Sequence, residues 1–459
     1  MSLIRSRKAL SLLMTVVMSM ATCVSCKKTD DEFPELSYPD QSSAVSEVTA
    51  DEDELSEPIN ELLVAVPYSS ETVELLAKLY YAKQNDLIED SANGRDISLD
   101  YLDSIEIPWV IRTRQTSGDG AGLASILQWQ EDGDMPDLML VEDIGSVKDS
   151  GLICPYDDYL SMESQIDGNL IYPDALIECM FDDGTYGLPH YQSVMLLVGN
   201  SEYIPESGRL PFRSDTDGFL DYLRDIRAEG LDEEMVVFAG AYELLPYLTS
   251  AFDSDTPTSY MFSEDLDLTG ELDSAVDYVG TIYDEGLSAF SDQSGADPRI
   301  SRSACMWLSS SGSIDMWSVY YPDSLYFAML PSDDAESSGI PYSTVYSMCM
   351  SSSCTNKEFA SGFAEFMCFD TDALMLLNRV EPQRGYLPCV TSSAVWDIVC
   401  EDEIFGTEAM LFEQILGRSI YCPGPGSAFG TSVNNYNRDY YIARSEGSDP
   451  EYDLESCLS

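Results

Sequence analysis

Carboxylates, hydroxyls and aromatic rings stand at the ends of several apolar runs, and their types are those that bind hydroxyl groups and apolar ring faces. Glu142 and Asp143 follow the run Leu138–Val141. Tyr68 and Ser69 follow Leu62–Val66, Gly240 to Tyr242 follow "EMVVFAG", and Trp307 leads into the triplet Ser309, Ser310 and Ser311. Carboxylates and hydroxyls accept and donate hydrogen bonds to OH groups, while aromatic faces stack on apolar surface. Each also has an ordinary structural reading. Trp307 and Trp317 sit among apolar residues and suit a core, the serine triplet suits a turn, and Glu142 and Asp143 are two of 82 acidic residues. His190 is the single histidine, which excludes a multi-histidine metal site or a histidine relay pair. No G-x-S-x-G elbow, P-loop, dinucleotide glycine run or H-E-x-x-H occurs, so enzyme chemistry has no motif to stand on. A carboxylate pair of the glycosidase kind arises by chance in so acidic a chain and carries no information. No metal and no cofactor is expected.

The elements that would hold these residues alternate. Leu62–Val66 reads as a buried strand with Pro67 at its exit, and Ser69 or Ser70 can cap the helix whose Val73, Leu76, Leu79 and Tyr80 recur at helical spacing. A strand in "PWVIRTRQT", a helix in "AGLASILQWQEDGD" ending at Gly133, and the unalternating strand Leu138–Val141 follow. Strand, helix, strand, helix, strand is a parallel α/β lobe whose strands are covered on both faces. Asp182-Asp183-Gly184 marks a hairpin turn, and Tyr186–Val198 reads as a long strand interrupted by Pro189. A second lobe opens with the amphipathic helix "DTDGFLDYLRDIRAEG" and the strand "EMVVFAG". No internal repeat is evident. In open parallel sheets ligands bind beyond the carboxyl ends of the strands, which is where the residues named first stand.

The 459 residues favour two domains, and 44% apolar content supports a folded body. A formal charge of -59 repels phosphate backbones and disfavours nucleic acid. "MSLIRSRKALSLLMTVVMSMATCVSCKK" has a basic start, an apolar stretch and then small residues, the layout of an export signal. It resembles a bacterial lipoprotein signal, with Cys26 the expected lipidated residue, Cys23 the alternative, and a plain cleaved signal the remaining reading. Residues 29–58, acidic and rich in Ser and Pro, read as an extended tether. The cysteines of the body are scattered without C-x-x-C pairs and read mainly as buried thiols, with one or two disulfides left open.

"GDMPDLMLVEDIGSVKDSGLICPYDDYL", "DDGTYGLPHYQSVMLLVGN", "SMCMSSSCTNKEFASGFAEFM" and "RGYLPC", in that order, resemble segments of the extracellular solute-binding proteins of ABC importers, in the family that includes sugar and maltodextrin binders. The likeness spans roughly residues 61–400. It departs at "SDTDGFL", which lacks the family's Trp, at "LSSSGS" in place of Gly-Pro-Trp, and at "GPGSAFGTSVNN", which matches only at Ser427-Ala428-Phe429. The resemblance implies a type II periplasmic-binding-protein-like α/β fold, two lobes joined by several crossing segments with a ligand cleft between them. It adds His190 and Tyr191 at the lobe crossing, and Phe429, to the cleft candidates Tyr68, Ser69, Glu142, Asp143, Gly240, Tyr242, Trp307, Ser309, Ser310 and Ser311. The expected organisation is a signal at 1–25, a tether at 26–58, the first lobe at 59–188, the second at 189–302, a return to the first at 303–342, and second-lobe and C-terminal segments at 343–459. The function implied is a monomeric, lipid-anchored receptor on the outer face of a bacterial cytoplasmic membrane that closes on an oligosaccharide and delivers it to a permease. A polyol, sugar phosphate or peptide is the alternative ligand, the negative chain disfavouring anionic ones unless Arg112 or Arg384 reverses that locally, and a surface glycosidase or polysaccharide-binding adhesin is the alternative class.

Overall fold

The computed structural model describes residues 60–88, 94–160, 170–232, 234–248, 272–332, 341–422, 428–448 and 450–453. The expected signal and tether, with Cys23 and Cys26, lie outside the described residues.

Strand β1 (Glu61–Val66) lies between β2 (Val110–Gln115) and β3 (Leu138–Val141), all three parallel. Leu62 to Val66 and all of β3 are buried, which is why their sequences show no alternation. β2 is the edge of the sheet and is half exposed, and Arg112 and Arg114 on it discourage pairing with another chain. Helix α1 (Ser70–Gln84) starts at the Ser69 cap, and α2 (Leu123–Asp132) stops at Gly133, whose φ of 72° ends the helix without a Cβ penalty. Helix α3 (Ile144–Asp149) follows β3 directly.

The chain then enters β4 (Leu188–Asn200), a fully buried strand of 13 residues. Its first part pairs with β9 (Tyr342–Ser351), which also pairs antiparallel with β3. Its second part pairs with β7 (Ala304–Ser310) and β8 (Leu325–Ala328). β5 (Val236–Ala239) joins β7 and β6 (Ser288–Ala289) in parallel, giving the order β2-β1-β3-β9-β4-β7-β5-β6. Helices α4 (Thr216–Ala228) and α5 (Leu272–Asp284) pack with β5 and β7, and α6 (Ile314–Tyr320) follows β7 and packs against Trp307 on it. Helices α7 (Lys357–Phe369) and α8 (Thr371–Val380) follow β9, and α9 (Ser393–Val399), α10 (Gly406–Glu413) and α11 (Ala428–Ser445) close the chain.

Two cores define two lobes. One joins Leu62, Val64, Leu138 and Leu140 to Phe363 and Met367 of α7 and Leu374 of α8. The other joins Phe219 and Leu223 of α4 to Phe238, Val279, Met306 and Leu308. A further cluster covers the opposite face of β4 with Val194, Leu196 and Val198 against Trp307, Trp396, Phe405 and Phe412. Burying each such side chain contributes about 1.5–3 kcal/mol before chain entropy is counted.

This pairing corrects the expected boundaries. Residues 303–342, assigned to the first lobe, contribute β7 and β8 to the second. Of 343–459, assigned to the second lobe, β9, α7 and α8 build the first-lobe core, and it is Cys422 and, on α11, Val433 and Tyr441 that join the second. An apolar strand fits either core, so membership follows from hydrogen-bonded neighbours rather than from its own pattern. The expected lobe boundary at 188 and 189 falls inside β4, because one strand serves both lobes. Pro189 sits near its start, opposite Ser347, where the register with β9 slips and leaves His190 as the extra residue. A bulge there tolerates the missing proline donor and redirects the histidine.

Candidate functional site

The carboxyl ends of β2 and β3 face the middle of the crossing strands. After β2 the chain turns through Gly118-Asp119-Gly120, and Asp119 is exposed. Across from it, Tyr191 of β4 and Tyr346 of β9 are register partners with rings 5.1 Å apart. Tyr386, preceding the short strand β10 (Leu387–Pro388), places its ring 4.6 Å from Tyr191 and 5.5 Å from Tyr346. All three hydroxyls converge on the β2 turn. Tyr191 donates to the Gly118 carbonyl at 2.8 Å, and Tyr346 and Tyr386 lie 3.2 and 3.3 Å from Asp119 Oδ1. Burial pushes the Tyr346 and Tyr386 phenols well up, and the Asp119 and Glu142 carboxylates push them further, so both stay neutral donors. The three rings are themselves buried, so the wall is a packed aromatic joint with the exposed Asp119 at its rim.

Tyr386 also meets the second lobe. A Cβ at Gly118 would lie 2.5 Å from its hydroxyl, and one at Gly312, in the turn after β7, would lie 2.7 Å from its ring. Only glycine leaves this ring room on both sides. Ser311 sets that turn: its Oγ accepts from Val194 N at 3.0 Å and donates to the Gly385 carbonyl.

Each expected site residue has a definite place. Glu142 is half-buried at the end of β3 and acts electrostatically on Tyr346 and Tyr386. Asp143 caps α3 by accepting from Ser146 N at 3.0 Å, so its carboxylate is committed to a helix end. Ser69 caps α1, accepting from Thr72 N at 3.2 Å. Tyr68 is fully buried and shares a hydrogen bond with His190 Nε2. His190 is buried too, and desolvation lowers its pKa to about 3. Among the described residues its Nδ1 has no partner. Tyr191 lies in the tyrosine wall.

In the second lobe Gly240 takes φ 70° after β5, and Tyr242 stacks on Phe290 at 6.3 Å, with its phenol pushed up to about 12 by burial and then Glu243. Trp307 is 0% exposed, packed edge-on to Trp317 at 5.2 Å and tilted on Tyr321 at 4.9 Å. It is core rather than cleft, because alternation along β7 turns it toward α6. Ser309 accepts from Trp317 Nε1 at 2.8 Å, and Ser310 caps the turn Ser311–Ser313, so the triplet is a structural joint. Phe429 falls in α11, but its side chain lies outside the described residues.

The structure thus brings Tyr191 together with residues not singled out from the sequence: Gly118, Asp119, Tyr346 and Tyr386. Strand-end reasoning applied to β2, as it was to β1 and β3, points to Asp119. No local signal marks Tyr346 or Tyr386. The described cysteines are all free, and most are buried.

The sequence matches no protein-family model and no curated protein. Solved structures do match. The ABC substrate-binding protein Lmo0181 of Listeria monocytogenes, solved with cycloalternan, has a TM-score of 0.63 at 14% identity, over 87% of this chain and 97% of its own. The sugar-binding protein MalE of Xanthomonas citri has 0.59 at 13% identity, over 87% and 94%. The GacH receptor of Streptomyces glaucescens, solved unliganded and with acarbose, has 0.58 at 14% identity, over 84% and 94%. The chain has the two-lobe type II fold of these substrate-binding proteins.

Proposed function

We propose that this two-lobe protein is a receptor that captures a neutral oligosaccharide between its lobes and hands it to the permease of an ABC importer. The observation that carries this is the tyrosine wall: three rings converge on the acidic turn of β2, at the strand ends of one lobe and against a glycine of the other. Exposed Asp119 and half-buried Glu142 supply acceptors for sugar hydroxyls, and the buried rings behind them would meet the apolar faces of a sugar when the lobes part. The solved neighbours named for cycloalternan and acarbose support the saccharide class.

An anionic ligand fits poorly. Arg112 pairs with Glu61, at the far end of β1 from the wall, and Arg384 is bound by Asp315 and Asp402. Neither guanidinium is poised to offset Asp119 and Glu142, so sugar phosphates and acidic peptides recede. The acidic, ring-lined wall does suit a cationic solute, which is the second reading. Binding works by hinge closure, the ligand favouring the closed arrangement that a permease reads. Export and lipid attachment at Cys26 would hold the receptor at the outer face of the cytoplasmic membrane, and its role is binding without turnover.

The test is thermal unfolding of the protein across neutral mono- and oligosaccharides, polyols, amino acids, peptides and quaternary ammonium compounds. A ligand at 100 times its Kd adds about 2.7 kcal/mol to the folded state and raises the midpoint by a few degrees. Stabilisation by one saccharide class, abolished in Asp119→Asn, is expected. Stabilisation by cations alone would select the second reading, and a saccharide consumed during the assay would return the protein to the glycosidases.

A further inference from the structure

Both lobes are fastened beside the tyrosine wall by one short segment, Glu381–Tyr386. Its first residue holds the first lobe: the Glu381 carboxylate accepts from Ser69 N at 3.0 Å and from Thr72 Oγ1 at 2.6 Å, at the N-terminus of α1. A carboxylate there also meets the positive end of the helix dipole. Its middle holds the second lobe. Arg384 donates through Nη1 to Asp315 on α6 and through Nε to Asp402, each at 2.8 Å. Gly385 has φ 81°, its carbonyl accepts from Ser311, and a Cβ on it would lie 1.9 Å from the Ser311 carbonyl oxygen. The last residue is the ring that fills the space between Gly118 and Gly312. Anchors at both ends and in the middle leave Tyr386 little freedom of its own.

We propose that this strap is the selectivity wall of the cleft: by holding the Tyr386 ring between a glycine of each lobe, it sets how closely the lobes approach there and therefore how bulky a saccharide the cleft accepts. This deepens the receptor reading and rests on it for the identity of the ligand. Between Gly118 and Gly312 the gap is filled by the Tyr386 ring, and neither glycine has a side chain to fill it; Tyr191 and Tyr346 back the ring from the crossing strands, so truncating Tyr386 opens the gap between the two glycines.

The test compares Tyr386→Ala, Tyr386→Phe and Arg384→Gln in the full chain, with two readouts. Hydrogen exchange of the protein without ligand follows peptides spanning 116–120 and 311–315. Tyr386→Ala is expected to speed exchange in both by about tenfold or more, and unchanged protection in both overturns the wall. Binding is then measured over a size series of neutral saccharides, from monosaccharide to branched and cyclic oligosaccharides. Tyr386→Ala is expected to gain at least about tenfold on a bulky member that the parent rejects. Tyr386→Phe, which loses the bond to Asp119, binds more weakly but keeps the parent's size ranking. An unchanged ranking in Tyr386→Ala overturns the proposal. If Tyr386→Ala does not fold, Arg384→Gln, which removes no core group, must loosen 311–315 and relax the size ranking in the same direction, and failure of both overturns it. Should the parent bind no saccharide at all, the receptor reading falls while the exchange experiment still decides the wall.

Discussion

His190 should make a separable contribution to the loss of stability as pH falls. The slip in register between β4 and β9 turns its ring into the first lobe, where it is 1% exposed and bonded to a Tyr68 that is itself fully buried. Burial lowers its pKa from 6.5 to about 3. Between those values the unfolded chain binds a proton that the folded chain refuses, so unfolding is favoured more strongly as pH falls. The contribution of His190 is intact above pH 6.5, declines below it, and goes on declining until the folded ring titrates near 3. At pH 5 the loss amounts to about 2 kcal/mol, taken as 1.5 pH units at 1.36 kcal/mol each. His190→Gln keeps an acceptor for the Tyr68 hydroxyl and has no proton to take up. Urea unfolding of both proteins at pH 7, 6 and 5 isolates the effect, because the titration of the many carboxylates is common to the pair. The variant starts less stable at pH 7 through imperfect packing, and the gap should narrow by about 2 kcal/mol at pH 5. Parallel pH curves for the two proteins would refute the argument, since a ring open to water would have no depressed pKa.

Two other predictions follow from burial. Trp307→Ala should cost about 3–5 kcal/mol, read as a drop in unfolding midpoint, while leaving the ranking of bound ligands as it was; a changed ranking would return Trp307 to the cleft. Alkylation of the native protein near pH 8 should spare Cys179, Cys349, Cys368 and Cys389, whose thiols burial holds well up, Cys179 at about 12, and mass spectrometry should find them modified only after unfolding. Rapid labelling of any of these four in the native state would show that the core around that cysteine opens locally.

Order and type of elements were legible in the chain because their causes are local. An unbroken run such as Leu138–Val141, bounded by turn residues, fits a strand buried on both faces, Ser69 can cap the helix that follows the first strand, and Gly133 can end one with positive φ. The same local economy misled the site assignment, since Ser69 and Asp143 stand at strand ends but are consumed as helix caps. Which lobe β7 joins, and which face of it Trp307 occupies, depend on partners that no local pattern names. The tyrosine wall is the extreme case. Tyr346 and Tyr386 reach Asp119 across 227 and 267 residues of chain. They meet because Tyr346 is the register partner of Tyr191 beside a bulge, and because Glu381, Arg384 and Gly385 anchor the segment that carries Tyr386. Composition and periodicity pointed to an α/β body whose first three strands are parallel. Long-range pairing alone decided which side chains meet between β4, β9 and the β2 turn, because a side chain's direction is inherited from the register of its strand.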